Sequence, residues 1–244
     1  MKKSFAVRSI AVSAFLAASA MSAHADLTIP FDWTQSNSVQ KFPVAALQSF
    51  DLVYLQVAAK GNATSLGDVP EGLEVPNAQS YNFPVTQIVI GSKLNIAAGS
   101  AVGSALRFRV ADDNGIWNGL TLANFTIDYV KKQVTADATP TTQDAAVEGA
   151  PEVVVGAAKR IAIYNFNLAT PLALKYKFPL TVTGHEVLDQ LKLTPEAKVA
   201  MTDGLKLPEF AVVQLDQDFG TLTQDISTNT RKPKLASNKP YIVK

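Results

Sequence analysis

Few side chains in this 244-residue chain could carry out chemistry. The absence of cysteine excludes disulfides, thiolate nucleophiles, iron–sulfur clusters and cysteine-based zinc sites. There are two histidines, His24 and His185, and only His185 would remain after the N-terminal processing described below. One histidine cannot build a multi-histidine metal site, and no G-x-S-x-G elbow accompanies it for a serine triad. We therefore predict no catalytic residue and no cofactor.

Two carboxylates, Asp216 and Asp218, stand two residues apart, and on a strand they would share one face. Like charges this close require a cation, a shared proton or water. The spacing indicates a calcium site or an acid–base pair, with a solvated strand end as the simpler alternative. Residues 112–115, Asp-Asp-Asn-Gly, resemble part of a calcium loop but lack the distal glutamate of an EF-hand, so they predict a hairpin turn.

Aromatic side chains provide a second kind of candidate site. Trp33 lies near the expected N-terminal cleavage point, and Trp117 follows the Asn114-Gly115 turn. Rings at strand ends could stack on a sugar or a flat ligand, or could instead close the end of a β-sandwich. Our candidates for ligand binding are Trp33, Trp117 and His185, and our candidates for metal binding are Asp216 and Asp218.

The elements that must position these side chains are mainly strands. Several segments alternate apolar and polar residues with a period of two, which predicts half-buried antiparallel strands. The clearest examples are residues 172–182, 106–110 and 125–129. Residues 85–90 and 210–215 have apolar residues on both faces and predict central strands that are covered on both faces.

Helices are predicted to be few. Thr194-Pro195-Glu196 combines an N-cap residue, a proline at the first helical position and an acidic first turn, and Asp203-Gly204 would end that helix. A similar short helix is predicted to begin near Phe42. The chain is therefore predicted to be mainly β, an antiparallel β-sandwich-like fold with one or two short helices.

The N-terminus has the organisation of a secretory signal peptide. Lys2, Lys3 and Arg8 precede an apolar run over residues 10–21, and small residues follow up to Ala25. Cleavage after Ala25 would remove residues 1–25. The remainder is predicted to be one β-rich domain, 26–227, which could be divided near the proline-flanked segment 139–151, followed by a loosely ordered tail over 228–244.

Charge and hydropathy limit the partners. The 22 basic and 21 acidic residues nearly balance, which excludes nucleic-acid binding driven by electrostatics. After the signal peptide there is no second run of about 20 apolar residues, so no transmembrane segment is expected in the mature chain. The predicted location is outside the cytoplasm, either periplasmic or secreted.

Two segments carry a resemblance to known proteins. Residues 120–129, LTLANFTIDY, and residues 204–213, GLKLPEFAVV, resemble segments of secreted, cysteine-free, β-rich hypothetical proteins of Gram-negative bacteria. That resemblance implies export and a β-rich fold, and it brings no activity. A more remote likeness is to bacterial haem-uptake β-domains, but no Tyr/His pattern in this sequence carries a haem-binding residue across.

These observations favour an exported, non-enzymatic β-rich protein that acts by binding or as an envelope or extracellular structural component. The partner would be an unknown protein, a small molecule or a glycan. The first alternative is a dedicated small-ligand or glycan-binding protein, with haem as a less favoured ligand. The second is a hydrolase that uses Asp216, Asp218 or His185.

Overall fold

Antiparallel strands form most of the structure, a computed structural model that describes residues 26–91, 95–170, 172–177, 181–235 and 237–243. Within these residues, fourteen strands form one sheet, and their pairings are antiparallel. The strands are β1 (Leu27–Ile29), β2 (Asn37–Lys41), β3 (Gln56–Gly61), β4 (Thr64–Ser65), β5 (Ser80–Pro84), β6 (Gln87–Ile90), β7 (Ile96–Ala111), β8 (Ile116–Asp128), β9 (Gln133–Asp144), β10 (Val153–Val154), β11 (Lys159–Thr170), β12 (Lys175–Lys177), β13 (Thr181–Leu193) and β14 (Thr221–Ser227). The prediction of a mainly-β fold with few helices is confirmed.

The sheet is open and curls on itself, so strands far apart in its order face each other across the interior. The main path runs β1-β6-β7-β8-β9-β11-β13-β14-β2-β5-β4. Phe83 of β5 packs on Phe125 of β8 with ring centroids 4.9 Å apart. Gln40 of β2 donates a hydrogen bond of 3.1 Å to the hydroxyl of Tyr164 on β11. These contacts join the two halves of the curl around one core.

The core has two clusters, and the larger one combines aromatic rings with aliphatic side chains. Phe50 contacts Phe42, Phe108 and Phe219, and all four side chains are nearly or fully buried. A second, smaller cluster of buried aliphatic residues lies between β6 and the paired strands β13 and β14. With no cysteine in the chain, burial of apolar surface is the main stabilising contribution.

The helices are α1 (Val44–Asp51), α2 (Pro195–Leu205) and α3 (Glu209–Val212), with 3₁₀ turns at Phe31–Trp33 and Val213–Asp216. The two helices expected from sequence, near Phe42 and after Thr194, are confirmed as α1 and α2. However, α2 continues through Asp203-Gly204 to Leu205. Lys206, at φ 54°, adopts the left-handed conformation that ends the helix.

Two strand predictions are wrong. Residues 172–182 do not form one strand: β12 pairs antiparallel with the first residues of β13, so the chain reverses within this segment. Residues 178–180 lie outside the described residues. Residues 210–215 are helical, in α3 and the 3₁₀ turn that follows it. The strand prediction failed because a short, mainly apolar run has no period that distinguishes a strand from a helix. Phe210 and Val213 are both exposed there.

Segments that resembled a linker and a tail make defined contacts. Residues 139–144 form the second half of β9, paired with β8 along its length. Beyond residue 227, Arg231 is buried and donates hydrogen bonds to the carbonyl oxygens of Ser36 and Val85, at 2.9 and 2.6 Å. Further on, the backbone N–H of Tyr241 donates to Oδ1 of Asn124 at 2.8 Å.

Candidate functional site

A groove of about 590 Å³ lies beside α2, along the edge of its contact with the sheet. One wall is the exposed side of α2, and the floor comes from β8, β9 and β11. The segment that follows β10 forms the opposite wall. The apolar lining includes Leu120, Ala138, Pro140, Val155, Val199 and Ala200. The volume lies within the range of small-molecule sites, about 300–1,000 Å³.

Local chemistry fixes α2 beside this groove. Thr194 caps the helix: its hydroxyl accepts a hydrogen bond of 3.1 Å from the N–H of Ala197 and donates one of 2.6 Å to the carbonyl of Ala162 on β11. Near the other end, a Cβ at Gly204 would lie 3.2 Å from Cδ1 of Leu120, so glycine allows close approach to β8. The helix is therefore held at both ends, and Val199 remains exposed between them.

The opposite wall is an irregular piece of β-structure. β10 pairs with β9, and the N–H of Val155 donates to the carbonyl of Pro140 at 3.1 Å. Regular pairing with β9 resumes at Lys159. Val153, Val154 and Val155 are all substantially exposed in this segment. The wall therefore offers apolar side chains next to the groove.

Charged groups lie along the rim. Lys159 of β11 forms an ion pair with Glu196 of α2, with Nζ and Oε1 2.8 Å apart. Asp203 and Lys206 also line the groove. The Lys159–Glu196 pair is exposed and contributes little to stability, about 0–1 kcal/mol, so its charges are available to a ligand at small cost. An apolar floor with charges of both signs at the rim suits an amphipathic molecule.

The structure keeps the two tryptophans apart. Trp33 is 62% exposed in the 3₁₀ turn before β2. Trp117 lies near the start of β8, where Cζ of Arg109 is 4.3 Å from its ring centroid. The strand register places Trp117 beside the turn between β7 and β8. In contrast, the segment after Trp33 contacts the end of β14, where the N–H of Gln35 donates a hydrogen bond to the carbonyl of Ser227. Neither tryptophan lines the groove.

His185 lies on an exposed face of the sheet. It is directly opposite Asp225 in the β13–β14 register, and Nδ1 is 2.8 Å from Oδ1 of that residue. Both side chains are more than half exposed. Among the described contacts, no hydroxyl group hydrogen-bonds to the imidazole. The arrangement is a cross-strand polar pair without an adjacent nucleophile.

Asp216 and Asp218 are not on a strand, contrary to expectation. Asp216 ends the second 3₁₀ turn and forms an ion pair with Lys198 of α2. Asp218 accepts a hydrogen bond of 2.8 Å from the N–H of Gly220. In the part of the chain that the structure describes, no group of three or more Asp, Glu or His side chains is arranged to hold a metal ion.

Inside the curl there is a second, much smaller space of about 40 Å³. Its lining is mostly apolar, with polar atoms from Ser38, Gln40, Tyr164 and Gln224. Gln224 donates a hydrogen bond of 2.6 Å to Oγ of Ser38, so these groups satisfy one another. A space of this size accepts only a few water molecules. The groove is therefore the better candidate for a ligand.

Sequence reasoning found α2 but not the groove. The two walls of the groove, the segment at Val155 and the helix at Val199, are about 40 residues apart in the chain. They lie close together because β9 pairs with β11. One local signal was present: Val199 and Ala200 are apolar or small at helix positions outside the buried stripe of Ala197, Met201 and Leu205. Single exposed apolar side chains are common on protein surfaces, so this signal by itself does not locate a groove.

Comparison of the chain with protein-family models, with curated proteins and with solved structures gives no match. None of the helices in the described ranges has the length and apolar character that a membrane span requires.

Proposed function

We propose that this chain is an exported, non-enzymatic binding protein that holds a small amphipathic ligand in the groove beside α2. The observation that carries the proposal is the groove itself, a concave site of about 590 Å³ whose lining is mainly apolar, with polar groups of Asn118, Thr141 and Thr142 in the floor and charges at the rim. Sites for small molecules combine predominantly apolar linings with a few polar groups that orient the ligand.

The placement of the ionisable side chains favours binding over catalysis. A hydrolase would need His185 or the carboxylates of Asp216 and Asp218 to converge on a substrate. Asp216 is instead engaged by Lys198, and His185 is paired with Asp225 on another part of the sheet. At the groove, the carboxylate of Glu196 is paired with Lys159.

Export is the second component of the proposal. It is supported by the basic, apolar and small-residue segments of residues 1–25, which have the order of a secretory signal peptide. Cleavage after Ala25 would leave β1, which begins at Leu27, close to the new N-terminus. N-terminal sequencing of the chain recovered from the periplasm or the medium tests the cleavage point. An N-terminus at Met1 would contradict it.

The ligand site can be tested with 1-anilinonaphthalene-8-sulfonate, an amphipathic dye whose fluorescence rises in apolar sites. Val199→Glu places a charge in the groove wall and should weaken dye binding at least fivefold. Val213→Glu is the matched control, because Val213 is 63% exposed, close to the 61% of Val199, and does not line the groove. Ala157→Glu and Ala158→Glu form a second pair, in which only Ala157 lines the groove.

The expected pattern is weaker dye binding for both groove variants and unchanged binding for both controls. Equal effects within each pair would contradict the groove as the site. Native mass spectrometry of the wild-type chain purified from its host provides an independent test: an additional small mass that disappears in Val199→Glu supports the proposal. A wild-type chain that neither binds the dye nor carries a small mass would overturn it.

A further inference from the structure

Three cationic side chains gather on the outer face of the sheet. Lys60 extends from β3, and Arg107 and Arg109 extend from β7. The register sets Gln56 beside Arg109, and side chains alternate along each strand, so residue 60 shares that face with both arginines. None of the three lines the groove. A site here does not rest on the proposed function.

The cations outnumber the acidic groups that pair with them. Nη1 of Arg107 is 3.3 Å from Oε2 of Glu152, whose other oxygen accepts a hydrogen bond of 2.6 Å from Thr141. Glu152 is the one carboxylate that pairs with these three cations among the described contacts. The acceptors that the described residues offer Arg109 are neutral: Nε and Nη2 donate to Oε1 of Gln56 at 3.0 and 2.8 Å. The cluster therefore carries an excess of positive charge.

One buried donor in the cluster has no acceptor among the described residues. Nε of Arg107 is buried without a hydrogen-bond partner, and the side chain is only 14% exposed. A buried polar group left in this state costs about 1–3 kcal/mol, and more if charged. The same crowding appears at Lys60, where burial and then the neighbouring charge of Arg107 lower the pKa of the ammonium group. Both observations indicate that a negatively charged group able to accept hydrogen bonds would bind favourably here.

An aromatic ring supports one side of the cluster. The guanidinium of Arg109 lies over Trp117, and its Nη1 also reaches Oε1 of Gln143 at 3.4 Å. Gln143 is anchored in turn by a hydrogen bond of 2.6 Å to the carbonyl of Ala150. Arg109 is thus held in position before any ligand arrives, which lowers the entropic cost of binding.

We propose that Lys60, Arg107 and Arg109 bind a doubly charged oxyanion, a phosphoryl or sulfate group, in competition with the carboxylate of Glu152. Arginine presents several N–H donors in a planar arrangement that matches such groups, and lysine adds a point charge. Glu152 occupies a donor of Arg107 and places a negative charge beside the site. Its removal should therefore strengthen anion binding.

The chain contains two tryptophans, so a Trp33→Phe background leaves Trp117 as a single reporter beside Arg109. Its fluorescence is titrated with sodium sulfate and, separately, with inorganic phosphate, against sodium chloride at equal ionic strength. We expect saturable binding of sulfate and phosphate. Preference for one of the two would indicate which group the natural ligand carries. In the same background, Lys60→Gln should weaken binding at least threefold, and Glu152→Gln should strengthen it at least threefold.

The matched control is Lys131→Gln, which removes one positive charge at the turn after β8, where Lys131 faces Asp128. It should leave the affinity unchanged. Thermal unfolding of each variant identifies any that has lost its fold, and Glu152→Gln keeps an acceptor for Thr141. Absence of saturable binding, equal weakening by Lys60→Gln and Lys131→Gln, or weaker binding in Glu152→Gln would each overturn the proposal.

Discussion

The hydroxyl of Tyr129, directly after β8, donates a hydrogen bond of 2.7 Å to Oε2 of Glu186 on β13. Glu186 is 1% exposed, and among the described contacts no cation pairs with it. Burial raises the pKa of Glu186, and the bond from Tyr129 only partly opposes this effect. The pKa of Tyr129 is itself raised well above its ordinary value by burial and by the Glu186 charge. Burial of the Glu186 carboxyl group therefore lowers the free energy of unfolding by an amount that depends on pH.

Glu186→Gln should stabilise the protein at neutral pH. The folded state binds the carboxyl proton of Glu186 more tightly than the unfolded state, so the contribution of this group to stability falls as pH rises from about 4.3 through the raised pKa. Glutamine has no charge to bury and keeps an acceptor for Tyr129. The gain should grow with pH over that interval, by about 1.4 kcal/mol for each unit of upward shift. Urea unfolding at pH 4, 5.5 and 7 measures it, and a pH-independent difference would contradict it.

Tyr129→Phe should have the opposite effect on the pH profile. It removes the hydrogen bond that stabilises the ionised form of Glu186, so the pKa of that carboxyl should rise further. The contribution of Glu186 to stability should then fall over a wider pH interval than in the wild type, with a larger total loss. The double variant with Glu186→Gln is the control, and its profile should follow that of Glu186→Gln alone. A pH-dependent difference in stability between the double variant and Glu186→Gln would contradict the assignment to Glu186.

Thr194→Ala should lower the free energy of unfolding by about 1–2 kcal/mol, because it removes the N-cap of α2. The hydroxyl is buried and bonded both to the N–H of Ala197 and to the carbonyl of Ala162. Thr194→Ser keeps both bonds and should lose much less. Chemical denaturation of the three proteins makes the comparison, and equal losses in both variants would assign the effect to the methyl group.

Gly220→Ala should be strongly destabilising for a steric reason. Gly220 has φ 96°, and a Cβ there would lie 2.0 Å from the carbonyl oxygen of Lys41. Gly67, at φ 77°, has open space around the same position. Gly67→Ala should cost about 1–2 kcal/mol from backbone conformation alone, and Gly220→Ala should cost clearly more. Thermal melts of the two variants isolate the clash, and similar melting temperatures would contradict it.

Phe219→Ala and Phe210→Ala should differ widely although the chemical change is the same. Phe219 is 1% exposed and packs against Phe50 and Tyr164, so its truncation should cost about 3–5 kcal/mol. Phe210 is 60% exposed on α3, and its truncation should cost less than about 1 kcal/mol. Urea unfolding of both variants provides the test, and a large loss for Phe210→Ala would contradict the placement of α3.

Local pattern was sufficient for elements whose stability comes from nearby residues. The alternation over residues 106–110 and the Asn114-Gly115 turn predicted the β7–β8 hairpin, and Thr194-Pro195-Glu196 predicted the start of α2. Pattern was insufficient where apolar residues are not confined to one face. Residues 210–215 are equally compatible with a strand and a helix, and the extended conformation of Pro208 before α3 is compatible with either.

The sequence by itself determined the class of fold, the absence of cysteine chemistry and the limit of two histidines. Only the tertiary structure decided which side chains meet. The groove depends on pairing between β9 and β11 and on the seating of Gly204 against Leu120, and the cationic cluster depends on the β3–β7 register. Periodicity assigns each residue to a face of its own strand. Periodicity does not show which two strands are neighbours in the sheet, because strand pairing depends on packing among residues far apart in the chain.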